Sequence, residues 1–133
     1  MATRRTTNKV SPPPNLRLVI DALENWGYQQ GTTFLKRGSQ FCSIGVLCDV
    51  YVSRYPSIAK WAGNFLVITN PDTGISISYD TIVPPIIQKW GRCLYFGWEL
   101  KTHSTPISMV EMNDTMKLTH RQIAALLRRQ YNV

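Results

Sequence analysis

The sequence predicts an α+β domain: several short helices around one small antiparallel β-hairpin, preceded by an extended N-terminal arm. Three observations predict it. Apolar residues recur at helical spacing in several separate stretches. After the turn chemistry of Asn70-Pro71-Asp72-Thr73-Gly74, one stretch alternates apolar and polar residues. Pro12, Pro13 and Pro14 close a basic, polar opening and favour an extended backbone. Residues 1–14 are therefore read as an arm and residues 15–133 as one compact domain.

The elements follow in order. Leu16, Val19, Ile20 and Leu23 share one helical face and predict a helix from Leu16 to Trp26. Asn15 is placed to cap it, and Gly27 to stop it in the left-handed region. Residues 27–40 carry three glycines and read as a loop with a short strand at Thr33–Leu35. A second helix is predicted from Cys42 to Arg54, with Ile44, Leu47, Cys48 and Tyr51 on one face. Val46 and Val50 widen that face, so this helix is expected to be buried. Gly45 inside it costs about 1 kcal/mol against Ala, and close approach of another backbone is its usual reason. Pro56 ends the segment.

Residues 64–80 predict the hairpin, an apolar run from Phe65 to Thr69 followed by Ile75, Ile77 and Tyr79 alternating with Ser76, Ser78 and Asp80. Pro84 and Pro85 open a third helix through Trp90, with Gly91 as its stop. Residues 92–105 read as irregular. A fourth helix is predicted from Pro106, capped by Thr105, to Met112. The last helix carries a capping box, Thr119 with Gln122, and an apolar face of Ile123, Leu126, Leu127 and Tyr131. Trp26, Trp61 and Trp90 each end an apolar pattern and are expected to close the core. Trp98, in irregular chain, is expected to be exposed.

Composition excludes several classes. The chain has 133 residues, 44% of them hydrophobic, enough for one core. No apolar run reaches the ~18 residues a membrane span needs, so no membrane is expected. The opening residues lack the apolar stretch of a secretory signal. Three cysteines without such a signal point to free thiols in a reducing cytosol. Fifteen basic against eight acidic side chains give a net charge of +7. The excess sits at the ends: residues 1–40 hold six basic and two acidic side chains, residues 41–100 four and four, residues 101–133 five and two. A protein of this charge attracts polyanions such as nucleic acid, nucleotides or acidic protein surfaces. The same charge also serves solubility alone.

The stretches Ala22–Gly31 (ALENWGYQQG), Phe41–Asp49 (FCSIGVLCD), Ile82–Gly91 (IVPPIIQKWG) and Met109–Leu127 (MVEMNDTMKLTHRQIAALL) resemble a family of small tailed-phage proteins with an F-C-C-L-G-V-L-C-D-like motif and a C-terminal N-D…I-A helix. Ser43 stands where that motif has its second cysteine, and Glu24 and Asn25 stand where the opening has a basic residue. The family carries no assigned activity. What the resemblance implies is a viral accessory protein acting in the host cell cytoplasm.

Candidate sites divide by chemistry. Cys42, Cys48, Cys93, His103 and His120 are the available soft ligands, but no pair has the close spacing that preorganises zinc, and no metal or cofactor is expected. Cys42, at a helix N-terminus, is the cysteine whose thiol a helix dipole would activate. His120 reads as an exposed first-turn residue. No phosphate-binding loop, nucleophile elbow or zinc-protease motif occurs, so an enzyme is not expected. Asn113-Asp114 is the one polar pair in an apolar neighbourhood: a hydrogen-bonding ligand site or, more simply, a turn. THRQIAALLRR resembles the first helix of a helix-turn-helix, with too few residues after it for a reader helix. An anion surface could draw on Arg4, Arg5, Lys36, Arg37, Arg92, Arg121, Arg128 and Arg129, with Trp98, Tyr95 or Phe96 stacking on bases.

These readings lead to a non-enzymatic phage accessory protein that binds and inhibits or redirects a host component, in host takeover or counter-defence. The partner is a host protein, a nucleotide or nucleic acid. The alternatives are a nucleic-acid-binding module that uses the basic arm and C-terminal arginines, or a virion structural component. A homo-oligomer is left open.

Overall fold

A computed structural model describes residues 11–133. Arg4, Arg5 and most of the arm lie outside the described residues. The fold is α+β, as the patterning predicts.

Helix α1 (Leu16–Asn25) buries Leu16, Val19, Ile20, Ala22 and Leu23. Asn15 does not cap it. Its backbone is left-handed at φ 67°, and its Nδ2 donates 2.9 Å to the Trp90 carbonyl. The side chain thus ties the start of α1 to the third helix. Gly27, at φ 74°, does stop the helix as predicted.

The glycine-rich loop forms three two-residue strands, β1 (Gln29–Gln30), β2 (Lys36–Arg37) and β3 (Gln40–Phe41), in the order β1-β3-β2. β3 is parallel to β1 and antiparallel to β2. The strand expected at Thr33–Leu35 is displaced to Lys36–Arg37, because Thr33 takes a positive φ of 71° and turns the chain. Helix α2 (Ser43–Arg54) is buried on nearly every side, from Ser43 through Tyr51. Gly45 has the predicted reason. A β-carbon there would clash with the Leu35 carbonyl oxygen, far inside any allowed contact, so the loop backbone lies directly on the helix.

The predicted hairpin is present and gains a strand that the patterning did not reveal. β4 (Ala59–Ala62), β5 (Phe65–Thr69) and β6 (Ser76–Tyr79) form an antiparallel sheet in that order. At the turn, the Asn70 side-chain oxygen accepts from the amides of Asp72 at 2.8 Å and Thr73 at 3.3 Å. Ala59 and Leu66 point into the core, while Ile75 and Ile77, nearer the sheet edge, remain exposed.

Helix α3 (Pro85–Gly91) starts at its prolines, but its left-handed stop is Arg92, at φ 51°, rather than Gly91. Gly91 instead packs against Trp98, whose indole is buried and donates 2.9 Å to the Gly91 carbonyl. The expectation that Trp98 is exposed is therefore overturned: an irregular backbone has wrapped it into the core. Conversely, Trp26 is exposed, and Trp61 and Trp90 are half-buried at the core margin.

The helix expected at Pro106–Met112 begins later. β7 (Glu99–Leu100) pairs with β8 (Ile107–Ser108), so Ile107 packs as a β-branched strand residue. Helical backbone starts at Met109 and widens into a π-helical turn, Glu111–Thr115. Ser108, not Thr105, does the capping: its hydroxyl accepts from the Glu111 amide at 3.1 Å. Helix α4 (His120–Tyr131) carries the predicted capping box, with Thr119 and Gln122 bonding reciprocally. It packs on α1, burying Ile123, Ala124 and Leu127.

Candidate functional site

Asn113 is the polar centre of the interior. The π turn adds a residue to the helix and points this side chain inward, fully buried. Its Oδ1 accepts from Gln30 Nε2 at 2.7 Å and from the Ser43 amide at 3.1 Å. Its Nδ2 donates to the Gly31 carbonyl and to Asp114 Oδ1. Asp114 in turn accepts from the Thr33 amide at 3.0 Å. Both donors and the acceptor of Asn113 are thus consumed by the protein itself. The pair is not a solvent turn: it pins the glycine-rich loop and the head of α2 to the π turn.

Gln30 extends this network to α4, accepting from the His120 amide at 2.9 Å. His120 is buried, not exposed as its first-turn position implied. Its Nε2 lies 3.1 Å from the Phe41 carbonyl. A carbonyl only accepts, so Nε2 carries the proton and Nδ1 is a bare lone pair, buried without a partner. Burial holds the imidazole pKa below its ordinary value, against the opposing pull of the Phe41 carbonyl.

The thiols are passive. Cys42 does stand at the N-cap of α2, yet burial pushes its pKa up to about 11, overriding the helix end. Burial likewise raises Cys93 to about 12 and Cys48 well above the ordinary range. Tyr28 is also raised, by burial first and then by its 2.6 Å hydrogen bond to Asp49, which also accepts from the Trp61 indole. Among the described residues, no group of three or more His, Cys, Asp or Glu is placed to hold a metal ion. No helix among them is long and apolar enough to cross a membrane.

The cations expected to form one anion surface are dispersed. Arg128 makes a two-pronged ion pair with Glu24, at 2.7 and 2.8 Å, joining α4 to α1. That bond, above all, lowers the Glu24 pKa. Arg121 donates to the Glu24 carbonyl at 3.2 Å and lines a depression with Tyr28 and His120. Arg92 lines another depression, with Trp98 and Tyr131. Arg129 is exposed on α4, and Tyr95 and Phe96 are exposed beside each other beyond α3.

Lys36 and Arg37 do come together with aromatic side chains. The Arg37 guanidinium lies 4.8 Å from the centre of the Phe34 ring, and Lys36 Nζ 5.8 Å from that of Phe41. Two hydrogen bonds clip this loop to the β4–β5 turn: Lys36 Nζ to the Gly63 carbonyl, and the Gly38 amide to Asn64 Oδ1 at 2.9 Å. The clip brings in Phe65, which is 49% exposed. Phe34, Lys36, Arg37, Asn64, Phe65 and Asp80 line a recess of about 160 Å³. That is below the several hundred Å³ of a small-molecule pocket, and suits one group of a longer ligand. Phe65 and Asn64 carry no site signal in the sequence, where Phe65 reads only as the start of the hairpin's apolar run. A separate open groove of about 460 Å³, between β6 and the start of α3, is lined mainly by Ile68, Ile75, Ile77, Pro84, Pro85 and Ile86.

Comparison with known families matches residues 17–131 to a domain of unknown function, DUF8296. The chain belongs to this family. No curated protein and no solved structure matches it. The matched DUF8296 residues take in all four α-helices up to Tyr131 except Leu16, the whole Asn113 network and the recess at Phe65.

Proposed function

We propose that this DUF8296 protein is a non-catalytic accessory protein of viral origin that binds a component of the host cell, and that the basic aromatic face around Phe65 makes the contact. The observation that carries the reading is the pairing of exposed Phe65 with Lys36 and Arg37 on two clipped hairpin tips. Exposed aromatic and arginine side chains on a preorganised surface are the kind that dominate binding energy. The likeness to small tailed-phage proteins supports the viral origin. The thiols and the imidazole, held in their neutral forms by burial, are poorly suited to nucleophilic or acid–base work.

The test is native mass spectrometry of the tagged protein recovered gently from phage-infected cells, beside the Phe65→Ser/Arg37→Glu double variant. A defined adduct on the wild type that is lost in the variant supports the reading. Equal adducts on both, or turnover of any substrate that tracks Cys42 or Asp114, overturns it.

A further inference from the structure

We infer that the ligand of this face is single-stranded nucleic acid; the inference rests on the reading of the face as a binding surface. Two features argue for it. First, the aromatic groups are spaced among cations rather than gathered in an apolar patch. Phe65 is free to stack, and Arg37, already laid on Phe34, presents the outer plane of its guanidinium. Every base has a face that stacks on such groups, so this arrangement suits a strand whose bases are unpaired. Second, the cations continue along the sheet. On the outer face, Lys60 of β4 stands opposite Val67, two residues along β5 from Phe65. Lys60 thus shares the sheet face of Phe65 and adds a third cation to Lys36 and Arg37 for a phosphate backbone to meet.

One carboxylate belongs to the recess. Asp80 lines it, and its main-chain carbonyl accepts from the Leu35 amide at 2.7 Å. Its charge turns phosphates toward the Lys60 side and leaves a carboxylate beside the base edges, where exocyclic amines can donate to it.

The full chain is titrated against fluorescein-labelled single-stranded DNA and RNA 20-mers of mixed sequence, read by fluorescence anisotropy. Three phosphate contacts give a slope of about −2 in log affinity against log salt, or a roughly 20-fold loss between 50 and 200 mM salt. Phe65→Ala weakens binding at least about fivefold at every salt concentration, the loss of one stacked base. Lys89→Gln, at an exposed lysine on α3, leaves it unchanged. Three results overturn the inference: no binding at 50 mM salt, a duplex bound as tightly, or binding indifferent to Phe65→Ala. The last is what the N-terminal arginines alone would produce. If the recovered adduct is instead an acidic protein lost with Phe65→Ser/Arg37→Glu, this inference fails while the binding reading stands.

Discussion

His120 is held neutral inside the fold, and that has a direction in pH. Its folded pKa lies below the ordinary value of 6.5, so the unfolded chain binds the extra proton first. Stability is therefore complete above about 6.5 and declines as pH falls through that value toward the folded pKa. Urea midpoints measured from pH 8 to pH 5 should fall over this window, ahead of any carboxylate titration. In His120→Gln, which keeps a donor for the Phe41 carbonyl, the decline should be absent. Asn113 makes the larger contribution. Asn113→Ala strands the Ser43 amide and the Gly31 carbonyl, and leaves Gln30 Nε2 with its bond to the Leu118 carbonyl alone. It should cost about 3 kcal/mol in urea unfolding; a loss below about 1 kcal/mol would show that water replaces the side chain. Asn113 stood out in the sequence as polar among apolar neighbours, but its partners lie 70 and 83 residues away. No local pattern encodes those partners. Trp98 is buried for a related reason: the carbonyl that satisfies its indole belongs to Gly91, seven residues back, and irregular chain is not the same as exposed chain.

At the scale of elements, legibility followed locality. The capping box of α4, the turn at Asn70 and the core face of α1 all depend on residues within a few positions, and all were readable. β4 and β8 depend on partners across the sheet, and were not. Gly45 lies between these cases, since its presence signalled a close approach but not to what. Helix propensity alone gives Gly45→Ala a gain of about 1 kcal/mol. Contact with the Leu35 carbonyl reverses the sign, and the substitution should cost about 3 kcal/mol by thermal or urea unfolding. It should also weaken whatever binds at Phe65, because the displaced loop carries Phe34, Lys36 and Arg37. A stabilised Gly45→Ala protein would contradict this packing.

The whole molecule keeps its thiols out of reach. With Cys42 pushed up to about 11 and Cys93 to about 12, the thiolate fraction at pH 8 lies on the order of a hundredfold below that of an ordinary cysteine. Alkylation by iodoacetamide at pH 8 should thus be slow in the native protein and fast in urea, with all three cysteines labelling as the fold is lost. A cysteine that reacts equally fast in both states would show that the core is open around it. Charge at this scale was legible in amount and not in arrangement. The sequence placed the basic excess at its ends, but folding sends Arg128 to Glu24 and Arg121 to a backbone carbonyl, and clips Lys36 and Arg37 beside Phe65. Phe65 entered no sequence reading of the site, because an apolar residue opening a strand carries no mark of which side it will face.

The π turn at Glu111–Thr115 has a consequence for inheritance. It holds one residue more than the α turn it replaces, and each residue of an α-helix advances about 100° around the axis. Removing one residue from the π turn ahead of Asn113 would barely change composition or hydropathy, yet swing Asn113 away from Gln30 and Ser43. Along this stretch, descent must conserve a count as well as a set of letters. Relatives that tolerate substitutions here but never a single-residue gap would carry the imprint of that count.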